Sequence, residues 1–179
     1  MTTLVENPNL VFIHIPKNGG SSITRWLRDN LNGSKGIVTH GGMQHIQQDF
    51  AHAVDYPTFA VVRNPWDRVV SSYFFKKKKN QISCDFESWL YNEPKRNNNW
   101  FTFKTPQGQW LTSTPTWTLR LENLLLDFKV IQEYTNCYIP LPHNNTSTRK
   151  DYKLYYTTET KNYVADIFSQ DIEQFDYTF

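Results

Sequence analysis

Residues 10–27 read LVFIHIPKNGGSSITRWL. Leu10 to Ile15 form a short β-rich run stopped by Pro16, which predicts a buried strand. Ile23, Trp26, Leu27 and Leu31 then recur at helical spacing, with Gly33 as a helix stop. Pro-Lys, two glycines and two serines lie between strand and helix. A strand, a Gly-rich turn and a helix N-terminus together make an anion site, because the first helical N–H groups lack partners and the helix dipole places partial positive charge there. The Walker A pattern puts its lysine after the glycines, whereas Lys17 precedes Gly19 and Gly20.

The types of residue in this turn point to a particular chemistry. Gly19 and Gly20 let the backbone approach an anion without Cβ obstruction. Ser21 and Ser22 add hydroxyl donors, and Lys17 adds a mobile charge that can follow negative charge developing on an oxygen. A plain strand-to-helix turn would explain a lone Gly-Gly. The Pro-Lys before it and the Ser-Ser after it favour a phosphate whose bridging oxygen becomes a leaving group.

A second strand-to-helix junction follows. Thr58 to Arg63 (TFAVVR) predicts a buried strand, and Asn64-Pro65 a helix start, with Asn64 as N-cap, Pro65 at N1 and Asp67 in the first turn. Trp66, Val69, Val70, Tyr73 and Phe74 supply the apolar face, and Lys76 to Lys79 sit at the C-terminal end, where cations suit the dipole. Arg63 at a strand tip needs a partner, and its planar fork suits bidentate phosphate binding. Ser71, on the helix face of Asn64 and Asp67, is placed to grip the same phosphate. The plainer reading pairs Arg63 with a carboxylate such as Asp67.

The rest of the chain is consistent with one α/β domain over 1–179. Further expected elements are a strand at 36–39, a helix at 43–53, a short helix at 85–91, a strand at 116–121, a helix capped by Asn123 with Leu124, Leu125, Phe128 and Ile131 inward, and a helix at 158–168. Residues 92–115 and 138–152 read as loops. Strands alternating with helices imply parallel βαβ units, a P-loop-like three-layer domain with a central, mainly parallel sheet, and ligands at the strands' carboxyl ends.

Composition narrows the function. A 179-residue chain with 39% hydrophobic and 16% aromatic residues is globular, and its net charge of +2 gives no support for bulk nucleic-acid or membrane binding. Cys84 and Cys137 are too few and too scattered for a disulfide framework or zinc site. No signal peptide is visible, and no apolar run approaches the ~20 residues of a membrane span.

The two junctions, FIHIPKNGGSSI and VVRNPWDRVVSSYF, together resemble the carbohydrate sulfotransferases, in particular the branch with heparan sulfate 2-O-sulfotransferase and the chondroitin-type enzymes. The resemblance continues more weakly through TPQGQWL (105–111), LRLENLLLDF (119–128) and the final YVADIFSQDIEQFDYTF. It implies 3′-phosphoadenosine 5′-phosphosulfate (PAPS) as sulfuryl donor, leaving adenosine 3′,5′-bisphosphate (PAP), and no metal. It assigns Lys17, Asn18, Gly19, Gly20, Ser21 and Ser22 to the 5′ side of the nucleotide, and Arg63 and Ser71 to the 3′-phosphate. Arg149 and Lys150 then fall in a basic loop that closes over the nucleotide.

The acceptor implied is a hydroxyl, most simply on a carbohydrate, with neither nucleic acid nor a membrane span involved. Gln107, Gln109 and the asparagines 97–99 are candidates for sugar hydroxyls, and Trp100, Phe101 and Trp110 for stacking or core. The base comes from THGGMQHIQQDF (39–50), where either His40 or His45 fits and His45 aligns better. His14 reads as a core or supporting histidine, His52 as solvated, and His143 as a loop residue. The family's anchored Golgi members are longer, so a cytoplasmic enzyme of bacterial or viral origin is expected, of unknown oligomeric state. The alternatives are a nucleotide or small-molecule kinase, disfavoured by the missing GK[ST], and a non-catalytic PAP- or glycan-binding module.

Overall fold

The computed structural model describes residues 2–36, 42–92, 104–142 and 149–179. Residues 37–39 of the expected third strand, His40, the asparagines 97–99, Trp100, Phe101 and His143 lie outside these. The chain divides into two compact units, one of residues 1–63 and 107–145, the other of residues 64–106 and 146–179.

The first unit is built on a five-stranded sheet. Its strands are β1 (Thr3–Glu6), β2 (Asn9–Ile13), β3 (Ser34–Lys35), β4 (Thr58–Val62) and β5 (Trp117–Arg120), in the order β3-β1-β2-β4-β5. β2, β4 and β5 run parallel, with Ile13 opposite Ala60 and Val62 opposite Arg120. Every residue of β4 is buried, as expected of a strand covered on both faces. The sheet is extended on one side by β1 and β3, which pair antiparallel. β1 is absent from the sequence-based assignment. Its signal is the Asn7-Pro8 turn between two β-rich runs, which folds Thr3–Glu6 back on Asn9–Phe12 as a hairpin.

Helix α1 (Gly20–Leu31) buries Ile23, Trp26 and Leu27 and exposes Arg25, Arg28 and Asp29, so its apolar stripe faces the sheet. It ends on Asn32 in the left-handed conformation. The expected helix at 43–53 is broken into a turn at Met43–His45, α2 (Ile46–Asp49) and a turn at Ala51–Ala53. The expected helix after β5 is likewise split, into a turn at Leu121–Asn123, α5 (Leu124–Asp127) and α6 (Lys129–Thr135). Asn123 makes no side-chain cap there. Phe128 and Ile131 are buried, but Leu125 is 66% exposed, because it lies a helical step of ~100° away from the Leu124–Phe128–Ile131 stripe. One core joins Leu10 and Phe12 of β2, Phe59 and Val61 of β4, Trp26 of α1 and Phe128. Trp26 meets Phe128 edge-on at 4.9 Å, and its indole N–H donates to Ile139 O at 2.7 Å.

The second unit contains α3 (Pro65–Lys78), α4 (Phe86–Asn92), α7 (Thr158–Ile167) and α8 (Ser169–Gln174). The start of α3 follows the sequence expectation. Asn64 Oδ1 accepts from the N–H groups of Trp66 (3.1 Å) and Asp67 (3.5 Å), and Pro65 occupies the position that needs no donor. The Asn64 amide also donates to Thr178 O at 2.8 Å, so the cap fastens the tail as well. Trp66, Val69, Val70 and Tyr73 pack with Phe86, Trp89 and Leu90 of α4 and with Val164 and Phe168. α7 begins with a capping box, in which Thr157 and Thr160 bond reciprocally. Among the described residues no helix is long and apolar enough to cross a membrane.

Candidate active site

The carboxyl ends of β2, β4 and β5 lie side by side, and the chain leaves each of them at the same edge of the sheet. After β2 comes the turn from His14 to Gly19. Lys17 adopts φ 71° and Gly19 φ 75°, both left-handed. Gly19 is the N-cap of α1, and a side chain on it would meet Leu121 Cδ1 at 2.9 Å, so both backbone angle and space favour glycine. Among the described residues α1 has no side-chain cap and no acidic residue in its first turn; the Ser22 and Ile23 N–H groups bond Gly19 O, and those of Gly20 and Ser21 stand at the open helix start. Ser21 is exposed and Ser22 buried.

His14 lies one residue beyond β2, not within it. Its ring stacks on Phe12 at 5.8 Å and occupies the space that a Cβ on Gly20 would take. The second glycine of the turn is thus the seat of an imidazole.

After β4, Arg63 turns back toward the Lys17 turn. Its Nη1 donates to the main-chain carbonyl of Lys17 at 2.7 Å. Arg63 and the Lys17 turn therefore meet, across 46 positions of chain. Asp67, the carboxylate expected as an alternative partner for Arg63, takes the guanidinium of Arg149. A left-handed lysine costs roughly 1–2 kcal/mol, and the Arg63 bond is one interaction that holds it there.

Gln107 contradicts its expected role as a sugar ligand. It is fully buried and bonded to the chain itself. Its Oε1 accepts from Asn18 Nδ2 at 2.6 Å and from the Arg63 N–H at 2.9 Å, while its Nε2 donates to Arg63 O at 2.8 Å. Asn18, 1% exposed, also donates to Val61 O at 2.7 Å. Among the described residues its buried Oδ1 finds no hydrogen-bond partner, at a cost of about 1–3 kcal/mol. In the sequence Gln107 stands among polar loop residues. The signal it could have used was Gln107 in a tight Pro-Gln-Gly turn followed by apolar Trp110 and Leu111, a pattern that carries the side chain inward. Gln109 is exposed, and Trp110, 1% exposed, belongs to the core.

The same segment bears on the candidate base. A Cβ on Gly42 would lie 2.7 Å from Trp110 O, so the turn leading to Met43–His45 is pressed against residue 110. His45 is half-buried, and its Nδ1 is shielded from solvent.

In the second unit, Arg149 and Asp67 form a charge-assisted pair with side chains only 12% and 18% exposed. Burial, and next the Asp67 carboxylate, push the Tyr156 phenol up, and the protonated hydroxyl donates to Trp66 O at 2.9 Å. Lys150 is exposed, and its N–H lies 3.3 Å from the Tyr155 hydroxyl. Ser71 is half-buried one helical turn beyond Asp67 on α3. Among the described residues no group of three or more His, Cys, Asp or Glu is placed to hold a metal ion.

The open start of α1, the left-handed Lys17 turn and the Arg63 guanidinium fastened to that turn thus lie together. No curated protein and no solved structure matches the chain. The family model described as "Sulfotransferase family" matches residues 2–178, nearly its whole length and both of its units. The chain belongs to the sulfotransferase family.

Proposed function

We propose that the protein transfers a sulfuryl group from PAPS to a hydroxyl, on a carbohydrate. The reading rests above all on the 2.7 Å contact between Arg63 Nη1 and Lys17 O, since one nucleotide carrying phosphates at both 3′ and 5′ positions needs the two motifs together. Lys17, the N–H groups of Gly19 and Gly20, Ser21 and Ser22 take the 5′ side, over the uncapped start of α1. Asn18 braces the turn from beneath. Arg63 takes the 3′-phosphate. The roles of Ser71, Arg149 and Lys150 on the nucleotide follow from the resemblance of R-N-P-W-D-R-V-V-S and of the later basic loop to the family's segments. Since the family match runs through both units, residues 1–179 are taken as one sulfotransferase-like domain.

The donor supplies the activated sulfuryl group when bound. Lys17 then faces the phosphate oxygen that gains charge as sulfur leaves it, where an ammonium stabilises the departing group. His45 removes the proton from the attacking hydroxyl. This chemistry needs no metal to wrap a triphosphate. His45→Asn is expected to abolish transfer of labelled sulfate while leaving the Kd for PAP within about threefold, because the base enters only the chemical step. Retained turnover would exclude His45 as the base and return attention to His40.

A thermal-shift comparison of PAP, adenosine 5′-phosphate (AMP) and ATP–Mg²⁺ tests the nucleotide assignment. PAP is expected to raise Tm most, by an amount that grows with the logarithm of its concentration. Stabilisation by ATP–Mg²⁺ without PAP would make the protein a kinase. PAP binding without turnover on any of a panel of hydroxyl acceptors would make it a binding module.

A further inference from the structure

We propose that Gln107 is a positioning residue that sets the Lys17 turn and the Arg63 junction in one register, so that a single buried carboxamide couples the grips on the two ends of the nucleotide. The inference rests on the sulfotransferase reading above and assigns a residue which that reading leaves without a role.

Both the N–H and the C=O of Arg63 are bonded by the same carboxamide, at 2.9 and 2.8 Å. A two-point bond of this kind fixes the peptide planes on either side of residue 63. The Arg63 side chain therefore leaves the backbone in a set direction, the one that carries Nη1 to Lys17 O. The third bond, from Asn18 Nδ2 at 2.6 Å, ties the carboxamide to the residue next to Lys17. Asn18 in turn reaches Val61 O on β4. Turn, strand end and guanidinium thus close a ring of hydrogen bonds through Gln107.

The pattern differs from ordinary core filling. A leucine or methionine would occupy this fully buried position without a hydrogen-bonding requirement. Gln107 instead makes bonds across 44 and 89 positions of sequence, to a residue assigned to the 3′-phosphate and to one within the 5′ turn. Low local dielectric strengthens each bond and makes each orphan costly, so the ring is rigid when complete.

The experiment titrates PAP and AMP into the full chain by calorimetry, for wild type, Gln107→Met, Gln107→Glu and Asn18→Ala, each melted first to establish folding. Gln107→Met removes these carboxamide bonds at similar volume. It is expected to weaken PAP about 30-fold and to shrink the PAP-over-AMP preference at least fivefold, as Arg63 loses its direction. Gln107→Glu still accepts from Asn18 and from the Arg63 N–H but repels Arg63 O, and it should fall between. Asn18→Ala loosens the 5′ turn alone and should weaken PAP and AMP by the same factor.

A folded Gln107→Met protein with PAP affinity and preference within twofold of wild type overturns the proposal. So does a merely structural outcome, in which Tm falls and both nucleotides weaken equally. Should Gln107→Met fail to fold, Gln107→Glu decides by the same two criteria. If wild type itself does not bind PAP, the nucleotide reading falls and takes this role with it. If wild type binds and the variants are unaltered, only the role of Gln107 falls.

Discussion

Arg63→Ala is expected to weaken PAP by about 100-fold and AMP by no more than about fivefold. A charge-assisted hydrogen bond contributes about 1.5–3 kcal/mol, and a bidentate guanidinium–phosphate pair makes two. At 1.4 kcal/mol per tenfold, even partial solvation of the pair leaves two orders of magnitude. AMP lacks the 3′-phosphate, so its loss reports what Arg63 does within the chain, the bond from Nη1 to Lys17 O included. Arg63→Lys keeps the charge without the fork and should recover only part of the affinity. Calorimetric titration of both nucleotides settles the point, and equal losses for the two would remove Arg63 from the 3′-phosphate.

Lys17→Ala is expected to lower turnover by about 100- to 1,000-fold while changing the Kd for PAP less than tenfold. A donor aimed at the atom where charge develops acts mainly in the transition state, and deletions of such donors cost that much. Lys17→Gly separates charge from strain. Lys17 sits at φ 71°, and a glycine relieves the left-handed penalty of roughly 1–2 kcal/mol. The glycine variant should melt higher than the alanine variant and be equally inactive with labelled PAPS. Undiminished turnover in either would mean that another group carries the leaving-group charge.

Both predictions depend on the Lys17 turn being held rather than merely present. The left-handed lysine, the close-packed Gly19 and the imidazole over Gly20 leave the turn little freedom. Preorganisation of this kind keeps donors aimed before the reaction begins, so little reorganisation is needed during it. The same rigidity explains why glycine occupies positions 19 and 20. At the first, the backbone angle and Leu121 both disfavour a Cβ; at the second, His14 takes its place.

Much of this was legible from local sequence. β2 and α1 follow from an apolar run, a proline stop and a helical period within a window of some twenty residues. Asn64-Pro65 marked the start of α3 through the chemistry of the first turn alone. Propensity, capping and period act over neighbouring residues, so a sequence carries them openly. For the same reason the helix after β5 was drawn too long and Leu125 was turned inward. A run of three leucines has no sharp period, and the split at Phe128 depends on what the helices pack against.

Local pattern was enough for the α/β class and for the two strand-to-helix junctions. Tertiary structure alone decided that Arg63 reaches the Lys17 carbonyl, that Asp67 takes Arg149, and that Gln107 serves the backbone rather than a sugar. These partners lie 46, 82 and 44 positions apart, and the path of the chain through the fold, not any local preference, sets which donor finds which acceptor. A buried polar group must be bonded wherever it lands, but its own sequence neighbourhood does not name the partner.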